Sequence, residues 1–88
     1  MYKVFLHQKA NKFLVSLDKS TESIIRKKLK ELEEFPDQRG KHLTHSTFWS
    51  LRIGDYRAIY EISKNDSKVI IFFIGHRKDV YDDFSKLF

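Results

Sequence analysis

The residues of this chain best suited to chemistry are arginines placed where a folding core has no use for them. In the stretch from Phe48 to Tyr81, FWSLRIGDYRAIYEISKNDSKVIIFFIGHRKDVY, apolar residues alternate with period two on both sides of Gly54-Asp55. A glycine-first pair between two such runs signals a two-residue hairpin loop of type II′. The register follows: Ile53 faces Tyr56, Arg52 faces Arg57, Leu51 faces Ala58, Ser50 faces Ile59 and Trp49 faces Tyr60. Trp49, Leu51, Ile53, Tyr56, Ala58 and Tyr60 then form one apolar face, and Arg52 stands beside Arg57 on the other. Like charges directly opposed on a sheet cost a few tenths to ~1 kcal/mol. A sequence that keeps them there has an anion to place between them; the alternative is that both splay into water or pair with Glu61 and Asp55.

The next run, Val69 to Ile74, is apolar on both sides of the alternation, which predicts an interior strand. It leads straight into Gly75-His76-Arg77, so the end of the strand delivers Arg77 to the working surface. Between the two runs, Ser63 to Lys68 (SKNDSK) has the Asn, Asp and Ser of a turn.

These strands need a layer to cover their apolar face, and the first half of the chain supplies it. Tyr2 to Leu6 (YKVFL) reads as a strand. Ala10, Phe13, Leu14 and Leu17 then fall at helical spacing on one face. After a break around Asp18 to Thr21, where Ser20 or Thr21 can cap a helix, Ile25, Leu29 and Leu32 make a second stripe, widened by Ile24 and Phe35. Pro36 ends that helix, because the residue before a proline is driven out of helical geometry. The two helices form an antiparallel hairpin whose apolar faces need a sheet. Asp79, Val80, Tyr81, Phe84 and Leu87-Phe88 predict a short last helix with Tyr81 near its start.

Length and composition bound what this can be. The 88 residues support a single domain, 1–88, with one modest core, to which eight Phe contribute area that would otherwise need more chain. There is no Cys, which removes disulfides and thiolate chemistry together. No apolar run approaches the ~20 residues of a membrane span, and Lys3 and His7 interrupt the N-terminus too early for a signal peptide. A cytoplasmic protein with no membrane association is expected. Lys and Arg exceed Asp and Glu by 17 to 12, a net charge of +5, which suits an anionic partner, nucleic acid first, or a generic basic surface. The segment Asp37 to Thr47 (DQRGKHLTHST) reads as a basic loop in which Arg39, Lys41 and His42 can face phosphate. His42 and His45 lie three apart, but no carboxylate or Cys joins them at ligand spacing, so no metal site is expected.

With the strand, the helical hairpin, the basic loop, the three strands ending in GHRKDVY and the tail in view, the whole chain resembles the RelE/ParE superfamily of toxins from type II toxin–antitoxin modules. The most specific part of the resemblance pairs Tyr56-Arg57 with Gly75-His76-Arg77 and Tyr81. It is closer to the RelE branch, the ribosome-dependent mRNA interferases. The resemblance implies an α+β fold in which a small, antiparallel-rich, twisted sheet, in β-α-α-β-β-β-α order, packs on the N-terminal helical hairpin.

It also implies an endoribonuclease that cleaves mRNA in the ribosomal decoding site, needs no cofactor, and is neutralised by a RelB-like antitoxin protein. By position, Arg57, Arg77 and Tyr81 match the family's catalytic set, with Arg52 where the family usually has a lysine, and Ser50 at a second lysine position. RNA can be cut by attack of its own 2′-OH on the adjacent phosphate, so the protein must supply charge stabilisation and proton transfer. Arg57 and Arg77 are assigned to the phosphate, with Arg52 beside them, because guanidinium stays charged and binds phosphate through paired hydrogen bonds. Arginine is a poor proton shuttle, so His76, Glu61 or Tyr81 is left as acid and base. RNA contacts are expected from Arg39, Lys41, His42 and Ser50. The alternatives are a ParE-like, non-enzymatic inhibitor of DNA gyrase and a catalytically weakened RNA-binding relic.

Overall fold

The computed structural model describes residues 1–80, so the expected last helix and Tyr81 lie outside the described residues. The elements are β1 (Lys3–Leu6), α1 (Gln8–Val15), α2 (Lys19–Lys30), a 3-10 turn (Glu31–Glu33), α3 (Pro36–Arg39), β2 (Lys41–His42), β3 (Phe48–Ile53), β4 (Tyr56–Ser63) and β5 (Lys68–His76). The five strands form one sheet in the order β1-β5-β4-β3-β2. Only the β1–β5 pair is parallel; the other pairs are antiparallel. The expected α+β architecture is therefore observed, and β5, apolar on both alternations, is indeed interior.

The hairpin register is the one read from the alternation, from Ile53↔Tyr56 through Arg52↔Arg57 to Trp49↔Tyr60. Gly54 alone of the loop pair takes positive φ (59°), as the type II′ turn requires. Ile53, Ala58 and Tyr60 are buried on the inner face with Trp49, Leu51 and Tyr56 packed around them. Against this face lie Ala10 and Leu14 of α1 and Ile25 and Leu29 of α2, all essentially inaccessible, with Leu32 completing the layer. Burying each such aliphatic side chain is worth about 1.5–3 kcal/mol, and this layer is the main source of stability.

Several local expectations are corrected. The cap of α2 is Asp18, whose carboxylate accepts from the Thr21 N–H at 3.1 Å and from the Ser20 and Thr21 hydroxyls at 2.6 and 2.7 Å. Ser20 and Thr21 are thus donors to the cap and not the cap. Ile24 and Phe35 do not widen the apolar stripe; they are 61% and 64% exposed. The helix gives way to the 3-10 turn after Lys30, and Phe35, just before Pro36, then adopts φ 52°, a left-handed geometry, and stays exposed. The segment expected as a loop holds α3 and the edge strand β2, which pairs Lys41 with Ser50 and His42 with Trp49. Gly40 joins them because a Cβ there would collide with the Tyr60 hydroxyl and come within 2.8 Å of the Ser50 carbonyl. That hydroxyl donates to the Pro36 carbonyl at 2.8 Å, fastening α3 to the sheet.

The outer face is set by one irregularity. Ile59 pairs with Phe73 and Tyr60 with Ile71, so Phe72 is an extra residue in β5. The bulge lets Phe72 and Phe73 both serve the outer side. Ile59 and Val80 are buried, apart from the main core, and Val80 packs over Gly75 at the end of β5.

Candidate functional site

Arg52 and Arg57 face one another across the hairpin, and Arg57 in turn pairs with Gly75 of β5. One row of the outer face therefore runs Arg52, Arg57, Gly75, with neighbouring strands about 4.8 Å apart. Gly75 adds no side chain to this row. Arg77 lies just past the end of β5, in a turn, and is anchored by its N–H, which donates to the Asp55 carbonyl at 2.8 Å. Its guanidinium lies 4.0 Å from the Asp55 carboxylate. With Asp55 three-quarters exposed, that contact is a weak surface pair worth about 0–1 kcal/mol. Arg52 Nε donates to the Gly54 carbonyl at 3.3 Å. The turn Gly54-Asp55 is thus the point at which the guanidinium groups of Arg52 and Arg77 are held, with Arg57 in the first strand pair behind it.

Arg57 is half-buried, and its Nη1 donates to the Ser50 hydroxyl at 3.0 Å. Ser50, expected among the RNA contacts, is only 2% exposed, and its hydroxyl orients this guanidinium. Its role was hidden in the sequence because Ser50 and Arg57 are not directly opposed: Ser50 faces Ile59, and the bond is diagonal.

The other expected residues divide between the two faces. Lys41 pairs with Ser50 and so shares the arginine face at the sheet edge, where it is exposed. His42 pairs with Trp49 on the opposite alternation, its ring 5.0 Å from the indole and its Nε2 donating to the Ser46 carbonyl at 2.7 Å. Arg39 is held by the Glu34 carbonyl (2.8 Å) and lies 3.7 Å from Glu31, on the helical side. His76 pairs with Tyr56, and the two rings meet edge-on at 6.0 Å on the helix-covered side. It is therefore a neighbour of Arg77 in sequence but not a member of the arginine row. Glu61 is on the arginine face, yet four residues along β4 from Arg57, about 13 Å, and it accepts a hydrogen bond from Thr47. Tyr81 lies outside the described residues; Val80, immediately before it, is buried on the arginine face.

Among the described residues no group of three or more His, Cys, Asp or Glu could hold a metal ion. No helix among them is long and apolar enough to cross a membrane.

The described residues thus form a small mixed sheet backed by helices, with Arg52, Arg57 and Arg77 around the hairpin turn at one end of it. The profile of the family described as "ParE toxin of type II toxin-antitoxin system, parDE" matches residues 4–81. The chain belongs to this family: it is a toxin of the RelE/ParE superfamily, from a type II toxin–antitoxin module. Solved structures agree with that fold. The chain is similar to the toxin in the RelBE2 toxin–antitoxin complex of Mycobacterium tuberculosis, at 26% identity and TM-score 0.79, with 86% of this chain and 98% of that chain covered. It resembles a chain of the archaeal RelE–RelB complex of Pyrococcus horikoshii, at 26% identity and TM-score 0.72, over 86% of this chain and 94% of that one. The isolated RelE toxin of E. coli, at 22% identity and TM-score 0.75 over 99% and 98% of the two chains, shares the fold. No curated protein sequence matches the chain.

Proposed function

We propose that this toxin is a ribosome-dependent endoribonuclease that stops translation by cutting mRNA in the decoding site. The observation that carries the reading is the gathering of Arg52, Arg57 and Arg77 around one hairpin turn, with a buried serine spent on orienting Arg57. In the reaction, the 2′-oxygen attacks the adjacent phosphorus and the bond to the 5′-oxygen breaks. The products are a 2′,3′-cyclic phosphate and a 5′-hydroxyl. Charge grows on the non-bridging oxygens, and Arg57 and Arg77 bind them there through guanidinium hydrogen bonds; Arg52 holds the flanking phosphate.

One proton must leave the 2′-hydroxyl and one must reach the departing oxygen. With His76 turned to Tyr56 and Glu61 engaged by Thr47 at a distance, Tyr81 is the side chain of this protein assigned to proton transfer and to orienting the 2′-hydroxyl. Lys41 extends phosphate contact along the sheet edge. A RelB-like antitoxin neutralises the toxin, and both act in the cytoplasm. The similar Mycobacterium tuberculosis and Pyrococcus horikoshii chains both come from toxin–antitoxin complexes, which supports that partner.

The matched family description favours a second reading, in which the chain poisons DNA gyrase without cutting RNA. A reconstituted translation reaction separates the two. Wild-type toxin should cut mRNA on stalled ribosomes, with breaks mapped by primer extension, and Arg77→Ala should abolish the breaks. Intact mRNA together with trapped gyrase–DNA complexes would establish the second reading and end the first.

A further inference from the structure

The arginine row occupies only one end of the outer face, and the other end has a composition that the cutting reaction does not use. At that end β1 and β5 place Lys3 directly beside Lys68, a second like-charged cross-strand pair. The alternation that buries Val4 and Leu6 inward turns Lys3, Phe5 and His7 outward, and all three are exposed. Lys68 Nζ sits 5.8 Å from the centre of the Phe5 ring. His7 stacks on Phe72 at 6.0 Å with an interplanar angle of 27°, and Phe72 meets Phe48 edge-on at 5.6 Å.

A core has no need of these rings on this side. Phe5 remains 45% exposed, and His7 is fixed in place because its Nδ1 accepts the Lys9 N–H that begins α1. Phe72 is present on this face only through the bulge in β5. From Lys68 to the arginine row is seven residues of β5, about 23 Å. Cations and rings thus occupy the far end and cations the near end, with Val80 packed over Gly75 and Ile59 buried between them, a span long enough for several nucleotides. That is the arrangement by which proteins hold single strands: positive groups track the backbone and aromatic faces stack the bases. Glu61, an acid on this face, accepts a hydrogen bond from the Thr47 hydroxyl.

We propose that Phe5, His7 and Phe72 form a base-stacking subsite for single-stranded RNA, with Lys3 and Lys68 taking the phosphates at its far end. The subsite rests on the reading of the arginine row as the cutting site and extends the strand's path away from it. Its function is to anchor the message on the far side of Val80 so that one phosphate falls among the arginines.

The test uses the full chain and a fluorescent, 2′-O-methylated RNA of about a dozen nucleotides, beside a strand of equal length lacking bases. Phe5→Ala, His7→Asn (which keeps a capping acceptor) and Phe72→Leu (which keeps apolar volume) should each weaken binding of the base-bearing strand by about fivefold or more. None should change binding of the abasic strand. Lys68→Ala should instead weaken both strands and reduce the salt dependence of binding. Equal losses on the two strands, no loss on either, or failure of the wild type to bind the base-bearing strand would overturn the subsite. So would poly-glutamate binding that the same three substitutions abolish, since the rings would then serve a protein partner. Cutting on ribosomes by the wild type and by Arg77→Ala is scored separately, so the subsite can fail while the nuclease reading stands, and the reverse.

Discussion

The two faces of strand β4 differ in what they contribute, although one alternation produces both. Inward, Ala58 and Tyr60 disappear beneath α1 and α2, and each neighbour is apolar or hydrogen-bonded. Outward, Arg57 stands opposite another arginine and borrows a buried serine to hold its shape. The inward residues are explained by stability alone. Arg57 instead costs stability, since two opposed guanidiniums repel by up to ~1 kcal/mol, while Ile59, two residues on along the same face, is buried; under the proposed function that cost is what sets the arginine end of the face apart.

If this contrast is right, substitutions on the two faces should separate cleanly. Arg57→Ala should lower mRNA cutting by about 10²–10³-fold, the usual effect of losing one charge-stabilising donor. Its urea stability should stay within about 1 kcal/mol of wild type, because the lost bond to Ser50 is offset by relief from Arg52. Near-normal cutting by this variant would remove Arg57 from the site. On the other face, Leu14→Ala should cost about 2–5 kcal/mol of stability in urea titrations, while residual folded protein should cut at the normal rate. A large loss of specific activity in folded Leu14→Ala would mean that the faces are coupled and the contrast is too simple.

The same contrast explains what the sequence disclosed. The hairpin register was legible because Gly54-Asp55 fixes the loop length and every other residue reports its face. The stripes Ala10, Phe13, Leu14, Leu17 and Ile25, Leu29, Leu32 were legible for the matching reason at helical period. Phe35 misled, since hydropathy does not reveal that the helix tightens to a 3-10 turn after Lys30 and that Phe35 turns left-handed; Ile24 misled because one residue's step, about 100° of helix, carries it off the Ile25–Leu29 stripe into solvent. β2 was hidden because its two polar residues form a strand only through their partners Ser50 and Trp49. Of the site, the opposed Arg52 and Arg57 were visible from register, whereas the turning of His76 toward Tyr56 depends on strand pairing across the β4–β5 boundary. The ring cluster of His7, Phe72 and Phe48 needed both the parallel β1–β5 pairing and the bulge. Neither leaves a local signal.

A smaller effect sharpens the inner side of the comparison. Burial pushes the Tyr60 hydroxyl up to about 12, assisted by the Asp37 charge. Because its folded value lies above the ordinary 10.0, the contribution is complete below pH 10 and is lost as pH rises through about 12. Tyr60→Phe should cost about 1 kcal/mol at neutral pH through the lost bond to the Pro36 carbonyl. It should also flatten the alkaline fall in stability between those two values. An unchanged alkaline limb would place the responsible group elsewhere.

The least of these effects concerns how the helical layer is started. Hydrogen bonds from the Ser20 and Thr21 side chains, and then from the Thr21 N–H, hold the Asp18 carboxyl down to about 2, against an ordinary 3.8. A folded value below the unfolded one means that the cap's stabilisation is present above about pH 4 and fades as pH falls through about 2. Asp18→Asn keeps an oxygen acceptor for the Thr21 N–H but has no proton to gain. The wild-type melting temperature should therefore fall faster than that of the variant across this acid window, with mRNA cutting at neutral pH unaltered, since Asp18 serves only the layer beneath the sheet. Parallel acid limbs for the two proteins would show that the start of α2 does not depend on this charge.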